Sequence, residues 1–522
     1  MALGSRIGWY LLIAVGLATA QLATTAISAG TAPDAITITA PARTIVPAPD
    51  FRVNGAGAYR FTSGSAITAP PAAAPVARYL QQLLGPLTGA TVPLSPHGDV
   101  HLELDPGHPA GGYDLTVRPS GIWMTANDAA GLFDGVQTLR QLLPDTAQHS
   151  IPAVASTTIS DHPRFAYRGA MLDVARHFFG ATEVKRYIDD LAMIKINVLH
   201  LHLSDDQGWR IAIDGWPRLT DVGGSSQVGG GGGGYYTQDE YRDIVAYAAS
   251  RYITIVPEID MPGHTNAALA SYAELDCDGQ ARALYRGTNV GFSSLCVGKE
   301  ITYSFVAEVI RQLAALTPGP WIHLGGDESS STSRDDYIAF VNRASALVAG
   351  QGKTVIGWHD IGWASALPRG TVGEYWDFTT PRGASTVLAR RLIHGGGELI
   401  MAPANVAYLD MEYYRGARLG TDWAQGPTTI QESYLWDPAK IIPGVGDDDI
   451  LGVEAPLWSE TFSTLDDLEW MAFPRIVSVA EIGWSMRATR NFAEFAPRLG
   501  AFGAYLSAAG VDYYRAPGVP WQ

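Results

Sequence analysis

The sequence predicts an α/β chain in which a (β/α)₈ barrel follows a small α+β domain. Three observations carry that expectation. After Pro163, short apolar runs alternate with helical segments, the pattern of parallel βα units. Eight such runs fit into about 350 residues, enough to close a barrel with long loops. Ahead of Pro163 a shorter region has strands followed by helices, and no polar cluster. At 522 residues the chain is too long for one ordinary domain. With 47% hydrophobic and 17% charged residues it supports a substantial core. The formal net charge of −16 disfavours nucleic acid and anionic membranes, which demand basic patches. Fourteen Trp residues offer broad apolar faces that pack against sugar C–H groups as well as in cores.

Residues 1–35 read as a signal peptide and linker. Arg6 precedes an apolar run from Ile7 to Leu17, and Ala18-Thr19-Ala20 fits a small-residue cleavage site, so cleavage near Ala20 and secretion are expected. A retained anchor is the alternative, although the run is short for a bilayer. Residues 36–163 form the expected accessory domain. It holds a helix around Val76–Leu84, a hairpin of Tyr113–Val117 and Gly121–Ala126, and an amphipathic helix over Ala129–Leu143. Residues 164–522 form the barrel. Its strand candidates are Tyr167–Asp173, Asn197–Leu203, Thr254–Glu258, Trp321–Gly325, Thr354–Trp358, Thr371–Trp376, Glu398–Ala402 and Gly452–Trp458. Helices are expected over Ala181–Ile194, Thr237–Arg251, Thr302–Leu316 and Asp335–Gln351, with the later ones less distinct. The glycine-rich Val228–Tyr236 is expected to be a flexible loop on the strand-to-helix side.

The polar and aromatic clusters fall just after these strands, where a barrel gathers its active site. They are Asp173 to Phe179 (DVARHFF), Ser204 to Arg210 (SDDQGWR), Pro257 to His264 (PEIDMPGH) and His323 to Glu328 (HLGGDE). Trp358, Trp376, Tyr408, Asp410, Trp458 and Glu460 follow. Carboxylates among aromatic walls suit acetal hydrolysis, where the leaving oxygen needs a proton and the developing cation needs an anion or nucleophile. Asp327-Glu328 is the best pair. On an extended segment adjacent side chains point oppositely, so one would protonate the leaving oxygen while the other orients a substrate group. A capping or salt-bridging pair is the alternative.

Other features have plainer readings. His200 and His202 share a strand face as two zinc ligands would, but no third ligand is signalled, so packing within the barrel and no metal are expected. Glu258 and Asp260 read as loop anchors. Asp447–Asp449 lacks the spaced oxygens of a calcium loop and reads as solvated. Cys277 and Cys296 suit a local disulfide in an exported chain, with two free buried thiols as the alternative.

Together these segments resemble the family 20 glycoside hydrolases, the β-N-acetylhexosaminidases, and the resemblance covers nearly the whole chain after the export segment. It implies a TIM barrel with an accessory domain, no cofactor, and substrate-assisted retaining exo-hydrolysis of terminal β-linked N-acetylglucosamine or N-acetylgalactosamine. By resemblance Glu328 is the acid and then the base, Asp327 holds the acetamide nitrogen, and Tyr408 bonds its oxygen. Trp358, Trp376 and Trp458 match the indoles around the acetamide methyl, and Trp423 matches an aromatic stacking on the next sugar. Arg176 and Glu460 match the residues that grip the far hydroxyls, and Asp410 the one at the 6-hydroxyl. Asp205 and His264 match a relay behind the acid, or a hydrogen-bonded pair with no part in the chemistry. Cys277 and Cys296 match a loop disulfide. The implied partner is a carbohydrate such as a chitooligosaccharide, with no nucleic acid and no membrane after cleavage. Two other readings stand beside this one: a disaccharide-releasing relative, and a non-catalytic sugar-binding protein.

Overall fold

A computed structural model describes residues 45–88, 91–143 and 153–522; the export segment lies outside the described residues. The first described region is a six-stranded mixed sheet: β1 Phe51–Arg60, β2 Ile67–Thr68, β3 Val100–Leu104, β4 Tyr113–Arg118, β5 Gly121–Ala126 and β6 Ala153–Asp161, in the order β1-β6-β4-β5-β3-β2. Two helices, α1 Ala74–Thr88 and α2 Ala129–Leu142, belong to it. Asp128 caps α2 by accepting from the Gly131 amide, satisfying one of the free N–H groups at a helix start. The hairpin and both helices fall where their periodicity places them. Strands β1, β2, β3 and β6 were not foreseen, and β1 shows one reason. It is an edge strand exposed along most of its length, so its sequence, FRVNGAGAYR, shows no inside-outside alternation.

Eight parallel strands then close a barrel: β7 Tyr167–Asp173, β8 Val198–His202, β9 Thr254–Glu258, β10 Trp321–His323, β11 Thr354–Trp358, β12 Val372–Tyr375, β13 Leu399–Met401 and β14 Ile450–Leu457, with β14 pairing back onto β7. Each overlaps its expected segment. Covered inside and out, these strands are almost wholly buried, which is why they read as continuous apolar runs. The crossover helices include α3 Ala181–Met193 and α4 Gln238–Ala249, the latter held by a Thr237–Glu240 capping box. Helices at 300–316 and 334–350 also match expectation.

One expectation needs correction. The Val228–Tyr236 loop is pinned: the buried Arg210 guanidinium donates to the carbonyls of Val174, Ala175, Gly224, Ser226 and Gly234. Glycine is needed at 234 because a Cβ there would lie 2.1 Å from the Phe178 ring. The acidic run at 447–449 is mostly exposed, as expected, with Arg164 pairing to Asp447 at its start.

A buried ion pair joins sheet to barrel. Lys195 Nζ, on the turn between α3 and β8, donates to Asp161 Oδ2 at 3.0 Å and to the Tyr113 hydroxyl at 2.9 Å. Asp161 also accepts from Trp484 Nε1 at 2.9 Å, and both charged side chains are fully buried. Removing one partner of such a pair leaves a buried uncompensated charge. The Lys195→Met variant is therefore expected to lose about 3 kcal/mol in urea unfolding. A loss below about 1 kcal/mol would show that the pair does not hold the two layers together.

Candidate active site

The C-terminal ends of the barrel strands deliver the clusters to one place. Arg176 follows β7, Asp205 follows β8, His264 follows β9 and Asp327-Glu328 follow β10. Trp376 follows β12, Tyr408 and Asp410 follow β13, and Trp458 and Glu460 follow β14. Arg176, Asp327, Glu328, Trp376, Tyr408, Trp423, Trp458 and Glu460 line one cavity of about 460 Å³. Its size suits a small ligand.

The turn after β10 departs from the extended geometry expected for it. Gly325, Gly326 and Glu328 have φ of 67°, 100° and 42°, so the backbone has left the strand and entered the left-handed region. Asp327 and Glu328 consequently face the same cavity rather than opposite sides. A Cβ at Gly325 would lie 1.8 Å from Asp260 Oδ1, and that oxygen accepts from the Gly326 amide at 2.9 Å. Asp260 thus anchors this turn. Glu328 is half-buried, whereas Asp327 is buried and its Oδ1 has no protein partner.

Behind this turn lies a chain of charges. His264 Nε2 is 3.5 Å from Glu328 Oε2 and 3.8 Å from Asp327 Oδ2, and its Nδ1 is 3.1 Å from Asp205 Oδ1. Burial opposes charge on His264, but the Asp205, Asp260 and Asp327 carboxylates outweigh it and raise the imidazole well above its ordinary range. Burial alone would raise Asp205, yet Arg176 and His264 hold its carboxyl well below the usual value. Asp327 is raised well above the usual carboxylate range by burial and by neighbouring Asp260, and burial pushes Asp260 itself up to about 7.

Around Arg176 several buried polar atoms lack protein partners. The Arg176 guanidinium stacks on Trp458 at 4.6 Å and pairs with Asp205 at 2.9 Å, while its Nε is buried without a protein partner. Asp410 Oδ1 and Glu460 Oε2 are likewise unpartnered. Burial, with Glu460 beside it, pushes Asp410 up to about 8; burial also raises Glu460, against the pull of Arg176. Such buried polar atoms are costly unless a ligand satisfies them, and hydroxyls both donate and accept.

The aromatic wall differs in part from expectation. Trp458 and Trp376 line the cavity, and Trp376 is fixed by an Nε1–H bond to Asp360 at 2.8 Å. Trp423 stands 49% exposed at the mouth, and Tyr408 packs against it edge-on at 5.8 Å. Trp358 is only 1% exposed and lies behind Trp458, outside the open cavity. Burial, then Glu374, raises the Tyr408 hydroxyl well above its ordinary range, so it remains a donor at neutral pH.

Further residues take part without having been singled out from the sequence. Thr288 and Val290 reach the cavity from a loop closed by the Cys277–Cys296 disulfide. Asp360 gave no signal beyond lying two residues after Trp358. His200 and His202 are packed inside the barrel as expected, held there in a buried polar network. His200, His323 and Glu374 bring three potential metal-ligand atoms within 4.8 Å, but both His200 nitrogens already face Glu258 and Glu454 at 2.9 Å.

The model of the glycosyl hydrolase family 20 catalytic domain matches residues 165–487, and that of domain 2 of the same family matches residues 42–162. The Beta-N-acetylhexosaminidase of Cellulomonas fimi is 38% identical over 424 residues, covering 81% of this chain and 84% of that protein. The structure of Streptomyces plicatus N-acetyl-beta-hexosaminidase in complex with Thio-NAglucal superposes with a TM-score of 0.89 at 53% identity, covering 92% of this chain and 98% of that one. The GH20 beta-N-acetylhexosaminidase from Streptomyces coelicolor gives a TM-score of 0.89 at 50% identity, covering 92% and 99%.

The raised pKa of His264 has a consequence for stability. Its folded value lies above its unfolded value, so its charged form contributes fully below about pH 6.5 and less as pH rises toward the folded value. The stability difference between wild type and His264→Gln is expected to be level from pH 5.5 to 6.5 and then to shrink by up to about 1.4 kcal/mol per pH unit. A difference independent of pH up to 9 would mean that His264 is neutral in the folded protein.

Proposed function

Because this chain belongs to glycosyl hydrolase family 20, we propose that it hydrolyses terminal non-reducing β-linked N-acetylglucosamine or N-acetylgalactosamine with retention, using the substrate's own acetamide as nucleophile. The observation that carries this reading is the placement of Asp327 and Glu328. Both come from one turn of backbone, and they reach the same cavity with different exposure. Two such groups are poorly placed to attack and to protonate one glycosidic bond from opposite faces, as a carboxylate-nucleophile mechanism requires.

Glu328, half-buried toward the mouth, protonates the leaving oxygen as the acetamide oxygen attacks C1. Asp327 accepts from the acetamide N–H and faces the positive charge of the oxazolinium intermediate. Burial raises Asp327, but that growing charge favours its anion, so the interaction is stronger in the transition state than in the ground state. The Tyr408 hydroxyl donates to the acetamide oxygen and orients it. Trp376 and Trp458 exclude water around the methyl group, with Trp358 packed behind Trp458. Water then enters on the leaving-group side, with Glu328 as base. Arg176 and Glu460, which line the cavity, take the far hydroxyls, with the buried Asp410 behind them at the 6-hydroxyl, an arrangement that suits exo action. Trp423 offers its exposed face to the next sugar of a chitooligosaccharide or glycan. The Cys277–Cys296 disulfide supports the reading of an exported chain.

Initial rates on an aryl β-N-acetylglucosaminide and the matching β-glucoside test the mechanism. Rapid release from the first and almost none from the second is expected; comparable rates would reject acetamide participation. Asp327→Asn is expected to lower kcat on the N-acetyl substrate by about 10²–10³-fold, the scale seen when a group stabilising transition-state charge is removed.

A further inference from the structure

Hydrogen bonds continue from Asp205 down into the barrel core, past every group used above. His202, the last residue of β8, is fully buried. Its Nε2 is 2.7 Å from Asp205 Oδ2 and its Nδ1 is 2.5 Å from Glu258 Oε2. Glu258, the last residue of β9, also faces His200 Nε2 at 2.9 Å, and its other oxygen accepts from Trp358 Nε1 at 3.1 Å and lies 3.0 Å from His323 Nδ1. His200 Nδ1 then meets Glu454 on β14 at 2.9 Å. A hydrogen-bonded series of imidazoles and carboxylates therefore joins the barrel interior to Asp205 and His264, and His264 Nε2 lies 3.5 Å from Glu328 Oε2.

The charged groups facing His202 are Glu258 and Asp260 from β9 and its following loop, and Asp205 from its own loop; Trp458 covers it edge-on at 4.9 Å. With a carboxylate oxygen against each nitrogen, the ring carries both protons and is fixed in orientation. Burial opposes that charge, but Glu258 and Asp205 hold the imidazole up at about 9. The His202 Nε2–H and Arg176 Nη2–H both occupy Asp205 Oδ2. Oδ1 is left to the Asp206 amide at 2.6 Å and to His264 Nδ1. With Nδ1 committed to Asp205, His264 turns Nε2 toward Glu328.

We propose that His202, locked by Glu258, is a positioning residue for the reaction: by saturating one oxygen of Asp205 it fixes His264 against the acid Glu328. This rests on Glu328 being the general acid. His202 does not itself line the cavity; it meets the site through Asp205, whose Oδ2 it shares with Arg176, and through Trp458 packed edge-on against it. Loss of His202 frees the Asp205 carboxylate to rotate and removes the cation paired with it. Both changes weaken proton donation; Arg176 keeps its ion pair with Asp173 and its stack on Trp458, so sugar binding is expected to change less.

The test uses the full chain, its His202→Gln variant, and aryl β-N-acetylglucosaminides of graded leaving-group acidity. A 2,4-dinitrophenolate departs without a proton, whereas a 4-methylphenolate needs one. In His202→Gln, kcat on the 4-methylphenyl substrate is expected to fall on the order of 10–100-fold, while kcat on the dinitrophenyl substrate changes by less than about threefold. KM is expected to stay within about twofold, and the alkaline limb of kcat/KM to move upward, because removing a cation raises the pKa of nearby acids. Glu258→Gln has nearly the same volume; it is expected to show the same dependence on leaving group and carries the test if His202→Gln does not fold. An equal loss across the series, or no loss at all, would overturn the proposal. A wild-type enzyme whose own rates do not differ between N-acetylglucosaminides and glucosides would instead reject the acetamide mechanism.

Discussion

Four groups hold the buried Asp205 carboxylate at the barrel mouth: the Asp206 amide and His264 hydrogen-bond to one oxygen, and His202 hydrogen-bonds to the other, which is also ion-paired with Arg176. Much of the site's geometry follows from that saturation. Arg176 is held against Trp458 and its Nε is buried without a protein partner, so Arg176 and His264 share one anchor. Because the carboxylate is buried, the interactions are little screened by water, and its charge is retained only through the cations around it.

A site arranged in this way sacrifices stability. Asp327, Asp410, Glu460 and Arg176 each keep a buried polar atom without a protein partner, and an unsatisfied group of that kind costs about 1–3 kcal/mol. Glu328 and His264 also hold positive φ, at 42° and 54°, a conformation that non-glycine residues seldom adopt. Both residues lie on loops whose ends are fixed by barrel strands, and Asp260 clamps the Gly326 amide from the neighbouring loop. Rigid strands on either side make such local strain tolerable. Lys195, Asp161 and Arg210 act at greater distance, holding the sheet and the glycine-rich loop against the barrel.

The aromatic side of the cavity complements the charged side. Trp458 does two tasks at once, stacking on Arg176 and walling the recess beside Tyr408. Trp358 supports it from behind and ties back to Glu258, which links the dry wall to the polar core of the barrel. A low-dielectric recess strengthens whatever hydrogen bonds Asp327 and Tyr408 make there, since water cannot compete for them.

The sequence alone was enough to read the eight barrel strands, because strands buried on both faces must be short, apolar and separated by helical periodicity. It also marked the residues that gather at the strand ends, from Arg176 to Glu460, since polar clusters immediately after apolar strands have little structural reason to be there. Edge strand β1 escaped because exposure on both faces erases alternation, and the glycine-rich loop was misread because composition does not show that Arg210 would bind its carbonyls. Only the tertiary structure decided that Asp327 and Glu328 face one cavity, that Trp358 stands behind the wall, and that His202 and Glu258 reach Asp205. These are matters of backbone direction and of contacts between residues far apart in the chain, and residue order carries neither: a left-handed turn at Gly325–Glu328 and a closed barrel had to form before those side chains could meet.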